Sequence, residues 1–170
     1  MQPAEASSSL TAFDLYLFGE GTNHEAYRML GSHVVAMDGT RGVRFAVWAP
    51  NASAVTVIGG FNQWDRTRHP MEHRSGGVWE IFVPGLEQGE HYKFCVTSRT
   101  NQVQEKCDPY AFFAEVPPRT ASIVWNLDNY QWNDVHWMQG RTQRNFQREP
   151  VCIYEVHLES WLRGHNNEWL

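Results

Sequence analysis

Several broad classes are closed off by what the sequence lacks. Its three cysteines, Cys95, Cys107 and Cys152, are an odd, scattered set without CxxC spacing. That argues against a disulfide framework and fits unpaired thiols in a reducing compartment. Positive charge is scarce: 14 Lys and Arg against 19 Asp and Glu give a net charge of −5. With no basic stripe, nucleic acid is not an expected partner. No apolar run approaches the roughly 20 residues of a membrane-crossing helix. Met1–Ser9 has neither a basic n-region nor an apolar h-region and does not read as a secretory signal. No Gly-rich phosphate loop and no GxSxG elbow occurs. His69 and His73 are four apart, but Pro70 lies between them, and no other histidine pair has zinc-like spacing. Neither a metal nor a cofactor is expected.

What is present suits a folded domain with extra segments at its ends. Hydrophobic residues make up 42% and charged residues 19%, so the chain can bury a core without staples. Aromatic residues reach 14%, with eight Trp, which fits a thick sandwich core, a sugar-stacking surface or both. Residues 1–12 are polar and small and read as disordered or as broken from an upstream domain. His24 to Leu30 reads as a short helix capped by Gly31.

The apolar period then changes to two. Arg44–Ala49, Ala54–Ile58, Val78–Val83 and His91–Val96 read as strands, each bounded by Gly or Pro, with Asn101–Lys106 and Ser122–Trp125 as further strands. This is the pattern of an all-β sandwich. Asp108–Phe113 predicts a one-turn helix with Asp108 as its cap and Pro109 at its first position. Val151–Leu158 alternates again, with Tyr154, Val156 and Leu158 on one face and Glu155 and His157 on the other. Glu159 extends the polar row. No stop signal precedes Trp169–Leu170, so the sequence reads as interrupted. The segments expected are therefore an N-terminal segment over 1–30, a β-sandwich over 31–127, a linker over 128–150, and a further strand-led segment over 151–170.

Five motifs carry a resemblance. Gly42–Ala52 (GVRFAVWAPNA), Gly60–Asp65 (GFNQWD), His69–Met71 (HPM) and Asp108–Phe112 (DPYAF) resemble the glucan branching enzymes, as does Val151–Trp161 (VCIYEVHLESW). The first two are shared across α-glucan enzymes, including debranching enzymes; the combination with the last three is more specific. The resemblance implies an immunoglobulin-like β-sandwich followed by the first strand of a truncated (β/α)8 barrel. Glu159 departs from the Gly usual there. The implied reaction cleaves an α-1,4 bond and rejoins the chain through an α-1,6 bond by a retaining, two-carboxylate route. Its carboxylates sit on later barrel strands, so no catalytic residue is expected among these 170, and the chain alone is expected to be inactive. A cytoplasmic location follows from the absent signal and from what the family does.

The resemblance also marks a glucan-binding set. Trp64 matches a stacking Trp, and Lys93 a sugar-contacting Lys, in the glycogen-binding domain of the AMP-activated kinase; Asn62 stands beside Trp64 in the same motif. The residues by themselves favour the plainer readings, a Trp64 ring packed between sandwich and barrel and a solvated outer charge for Lys93. Thr97–Val103, where a second stacking aromatic is expected, contains none. Three functions stay open: part of a branching enzyme, with α-glucan as partner and the sandwich docked on its catalytic barrel; a stand-alone glucan-binding module; and part of a related debranching enzyme. Glu155, His157 and Glu159 are the one tight ionisable cluster and read as structural.

Overall fold

The structure, a computed structural model, describes residues 10–145 and 147–157. It divides into two units, Met1–Tyr130 and Gln131–Leu170. Among the described residues no helix is long and apolar enough to cross a membrane, and no group of three His, Cys, Asp or Glu side chains could hold a metal ion.

The first unit is built on two antiparallel sheets. One has the order β1 (Gly31–Met37), β2 (Thr40–Trp48), β5 (Val78–Pro84), β4 (Glu72–His73). The other runs β3 (Ala52–Gly59), β6 (His91–Ser98), β9 (Ser122–Ile123), β8 (Phe113–Ala114), with β7 (Val103–Lys106) also paired to β6. The alternation that predicts the strands also builds the core between the sheets. Val43, Phe45 and Val47 of β2 and Trp79 and Val83 of β5 pack with Val55 and Val57 of β3 and Tyr92 and Phe94 of β6. Such side chains, spaced two apart, share one face of a strand, and full burial of each is worth about 1.5–3 kcal/mol. The all-β expectation for this region therefore holds.

The N-terminal segment differs from its expected form. Ala12–Gly19 is a helix, α1, begun by a capping box: Thr11 Oγ1 accepts the Asp14 N–H at 3.1 Å while Asp14 Oδ2 accepts the Thr11 N–H at 2.9 Å. A four-residue helix, α2, spans Ala26–Met29. This is the short helix expected within His24–Leu30, and Gly31, just past its C-cap Leu30, also opens β1. Its φ of +96° is a left-handed conformation, and an added Cβ would lie 3.0 Å from the Tyr110 carbonyl oxygen, so glycine suits the position twice over. Leu10, Leu15, Met29 and Leu30 form a second core against Ala46 and Val78, on the opposite face of the first sheet. Leu10 is thus buried, a correction to the reading of residues 1–12 as wholly disordered; residues 1–9 lie outside the described part.

Charged groups close this second layer. Glu80 is buried; its Oε1 accepts the Leu10 N–H at 2.8 Å, and its Oε2 lies 3.5 Å from Arg74 Nη1. Arg74, just past β4, donates from Nη2 to the Leu10 carbonyl at 3.0 Å, so both backbone groups of Leu10 are held by side chains. Arg44, only 1% exposed, donates from Nη1 to Met29 O at 2.7 Å and from Nη2 to Arg28 O at 3.0 Å. These bonds satisfy carbonyls at the end of α2 that the short helix leaves open.

The Asp108–Phe113 segment is a turn, not a helix. Asp108 Oδ1 accepts the Tyr110 N–H at 2.8 Å, and Oδ2 accepts the Tyr92 hydroxyl at 2.6 Å. The side chain that would cap a helix is drawn inward, its backbone N–H donating to Ser122 Oγ at 2.8 Å. Burial lifts the Asp108 carboxyl above the usual carboxylate range, opposed by its bonds from Tyr92 and Tyr110, and burial beside that carboxyl keeps the Tyr92 phenol protonated far above its ordinary range.

In the second unit, Val135–Gly140 is a short helix, α3, and the Arg144 guanidinium lies 4.7 Å from the Trp137 ring centre. Residues 151–157 are exposed and form no strand. This departs from the reading of Val151–Leu158 as the first barrel strand. A strand is defined by ladder hydrogen bonds to a neighbouring strand, and 151–157 belong to neither described sheet. Leu158, Glu159 and the remainder of that motif lie outside the described residues.

Candidate binding cleft

The loop that carries Trp64 leaves the end of β3 and returns along it. Gly59 ends β3 because its missing side chain leaves room for the His91 carbonyl and the Phe61 ring, which a Cβ would overlap. Gly60–Asn62 form one 3-10 turn. The chain then passes through two successive left-handed residues, Gln63 at φ +58° and Trp64 at φ +61°. Such a conformation is uncommon for a bulky side chain and costs on the order of 1–3 kcal/mol, held only where the surroundings enforce it. Here the Trp64 N–H donates to Gly59 O at 2.9 Å.

Asn62 does most of the enforcing. It is 1% exposed. Its Oδ1 accepts the Gly59 N–H at 2.9 Å, and its Nδ2 donates to Val57 O at 3.1 Å and to His69 Nδ1 at 2.9 Å. With Nδ1 accepting, the neutral ring carries its proton on Nε2. Asn62 was expected to touch glucan; it is instead fully enclosed, and its amide is spent on the protein. It is a positioning residue for the Trp64 loop. His69, half of the discounted His69–His73 pair, serves the same network, while His73 packs edge-on to Trp79 with ring centres 5.0 Å apart.

Trp64 and Lys93 line one open cleft of about 340 Å³, together with Glu105, Glu115, Arg119 and Thr120. The register explains the convergence. Tyr92 and Phe94 point into the core, so Lys93 and Cys95 point outward. Cys95 is paired with Glu105 of β7, which puts Glu105 on the same outer face. Arg66 donates to Glu105 Oε1 from Nη2 at 2.6 Å and from Nε at 3.1 Å, tying the Trp64 loop to β7. Lys93 Nζ donates to Thr120 Oγ1 at 2.8 Å. Trp64 is 41% exposed, so a ring face is within reach of a ligand.

The cleft's lining combines one large aromatic ring, two cations and two carboxylates. A phosphate site would carry net positive charge. Balanced donors and acceptors beside an aromatic face suit a neutral, polyhydroxylated ligand, whose C–H groups cover the ring while its hydroxyls pair with the polar wall. Glu105, Glu115, Arg119 and Thr120 are absent from the sequence-based set. Glu105 lies on β7, within the Asn101–Lys106 strand that the sequence predicts, but nothing there marks its side chain for a cleft; Glu115, Arg119 and Thr120 come from the connection between β8 and β9, which has no periodic pattern.

The other Trp residues within strand patterns divide between core and surface. Trp79 is buried, with Nε1 donating to Ala49 O at 3.1 Å. Trp48 is half exposed, with Nε1 donating to Gly76 O at 2.9 Å. Trp125 packs against Phe113 with ring centres 4.9 Å apart.

The chain is similar to known proteins. The profile of carbohydrate-binding module 48 (isoamylase N-terminal domain) matches residues 29–111. A "1,4-alpha-glucan branching enzyme GlgB" of Rubrobacter xylanophilus is 54% identical over 91% of this chain and 21% of its own length. The enzyme of the same name from Thermosynechococcus vestitus is 49% identical over 93% of this chain and 21% of its own. Among solved structures, a pullulanase type I from Bacillus subtilis str. 168 complexed with maltose is similar with a TM-score of 0.49 and 27% identity, over 61% of this chain and 14% of its own. The chain spans about a fifth of the length of the curated relatives it matches.

Proposed function

We propose that this chain, which matches the profile of carbohydrate-binding module 48 over residues 29–111 and 1,4-α-glucan branching enzymes over most of its own length, is part of such an enzyme, and that its sandwich contacts α-glucan at the Trp64–Lys93 cleft. The single observation that carries the cleft is Trp64: half exposed, in a left-handed backbone conformation, and held there by the buried Asn62. Strain maintained around an exposed ring is a mark of a working surface.

In the whole enzyme the reaction would move an α-1,4-linked segment to an α-1,6 position by way of a covalent intermediate on a carboxylate. The acid and nucleophile are assigned to barrel strands outside these 170 residues, so the chain alone has no branching activity. Glu105 and Glu115 both line the cleft, but Arg66 holds Glu105 and the Ala121 N–H holds Glu115, and neither is offered as a catalytic group. The sandwich docks on the catalytic barrel, the enzyme works in the cytoplasm, and neither nucleic acid nor a membrane is its partner. The balanced charge of the cleft and the net charge of −5 support this reading.

Affinity electrophoresis in gels with and without glycogen tests the binding claim. Retardation of the 170-residue chain that Trp64→Ala abolishes is the expected result. Equal mobility in both gels would sink glucan contact by this sandwich and leave it a structural adjunct. Incubation of the chain with amylose, followed by debranching and chain-length analysis, should reveal no new α-1,6 branch points.

A further inference from the structure

A cleft with one aromatic ring must hold its ligand by other means, and its opposite wall supplies them. This wall is the short connection between β8 and β9. The Glu115 N–H donates to Ala121 O at 3.0 Å, and Glu115 Oε2 accepts the Ala121 N–H at 3.0 Å, so the carboxylate is fixed by its own hairpin. Its side chain is only 15% exposed, yet it lines the cleft. The other oxygen, Oε1, has two nitrogen neighbours, His91 Nε2 at 3.6 Å and the guanidinium Nη1 of Arg119 at 3.8 Å. Both are beyond hydrogen-bond length, so among the described residues Oε1 has attraction without a bond. Arg119 itself is 78% exposed, and its guanidinium can donate into the cleft. Beside them, Thr120 Oγ1 accepts from Lys93 and keeps its own proton to donate.

We infer that Glu115 and Arg119 are the specificity-determining residues of this cleft: Glu115 Oε1 accepts from, and Arg119 donates to, hydroxyls of the glucose unit next to the one stacked on Trp64. The inference rests on the glucan reading of the cleft and deepens it. A fixed carboxylate oxygen beside a guanidinium pairs with neighbouring hydroxyls, which donate and accept at once. Such charge-assisted bonds are the strong ones and stand in for a second stacking ring. The ligand class that results is an unmodified α-glucan with free hydroxyls, gripped by one ring face and one polar wall.

Calorimetric titration of the 170-residue chain with maltoheptaose tests it, using Glu115→Gln, Arg119→Ala and Trp64→Ala. Gln at 115 can still accept the Ala121 N–H, but presents a donor where Oε1 accepts. Each of the first two variants should bind about tenfold or more weakly, as loss of a hydrogen bond to a charged group implies, with unchanged thermal unfolding. If Glu115→Gln fails to fold, the exposed Arg119 decides the matter alone. Wild-type affinity in the variants, with binding lost in Trp64→Ala, would overturn this inference and leave the glucan reading standing. No heat from the wild-type chain would overturn both.

Discussion

Asn62 Nδ2 donates to His69 Nδ1 at 2.9 Å, across the neck of the loop that presents Trp64. The bond joins the loop's departure from β3 to its return, where the Val57 N–H donates to His69 O at 3.1 Å. Asn62→Ala would leave the buried Gly59 N–H and Val57 carbonyl each short of a partner. A loss of about 2–4 kcal/mol in urea unfolding is expected from several buried bonds. Glycogen retardation should weaken as well, although Asn62 touches no ligand. A variant as stable as wild type would mean that the loop holds its shape without the amide.

Tyr92→Phe is expected to cost about 1.5–3 kcal/mol, measured by denaturant titration. The ring stays in the core, but the buried Asp108 loses the hydroxyl bonded to Oδ2, and a bond to a charged group is worth that range. Asp108→Asn in the Tyr92→Phe background should cost less than in wild type, because the two side chains act as a pair.

Stability should fall with acid in a window set by His33. Burial, with Arg44 nearby, pulls its imidazole from 6.5 down to about 4, and its Nε2–H donates to Leu30 O at 2.9 Å. The unfolded chain therefore takes up a proton between about pH 6.5 and 4 that the folded chain refuses. Protons bound preferentially by the unfolded state make stability rise with pH. On this account up to about 3 kcal/mol is lost as pH falls from 6.5 to 4. His33→Gln should flatten the slope across that window; an unchanged slope would assign it to other groups.

Deletion of residues 1–19 should be severe. It removes Leu10 and Leu15 from the second core and exposes Leu30 and Val78. Two buried leucines alone correspond to about 3–6 kcal/mol. Glu80 would also lose its Leu10 partner. A lower unfolding midpoint and increased dye binding to exposed apolar surface are the expected readouts.

The sequence disclosed some of this far better than the rest, for physical reasons. Strands β2, β3, β5 and β6 carry the sandwich core on alternate residues, so their period is written openly. β1 escapes because Gly31, read as a helix cap, is in fact the left-handed entry to a strand whose first residues are all buried. α1 was missed because Phe13 and Tyr16 are exposed apolar residues that blur its face; the Thr11–Asp14 capping box was its available signal. Trp64 and Lys93 could be named together only through family resemblance, since register across β3 and β6 is not visible in one strand's sequence. Glu115 and Arg119 give no signal at all, because the connection between β8 and β9 has no period.

The double burial of β2 has a further consequence. From Gly42 to Val47 every residue is enclosed, with Phe45 turned to the sandwich and Ala46 to the helical layer. One strand is thus a member of both cores, and neither can melt while the other keeps its packing. Helical and near-ultraviolet signals should therefore vanish in a single, superimposable transition, and slow-exchanging amides of α1 and β5 should report the same opening free energy. The N-terminal layer is a cooperative part of the sandwich, inseparable from it in any unfolding event large enough to release β2.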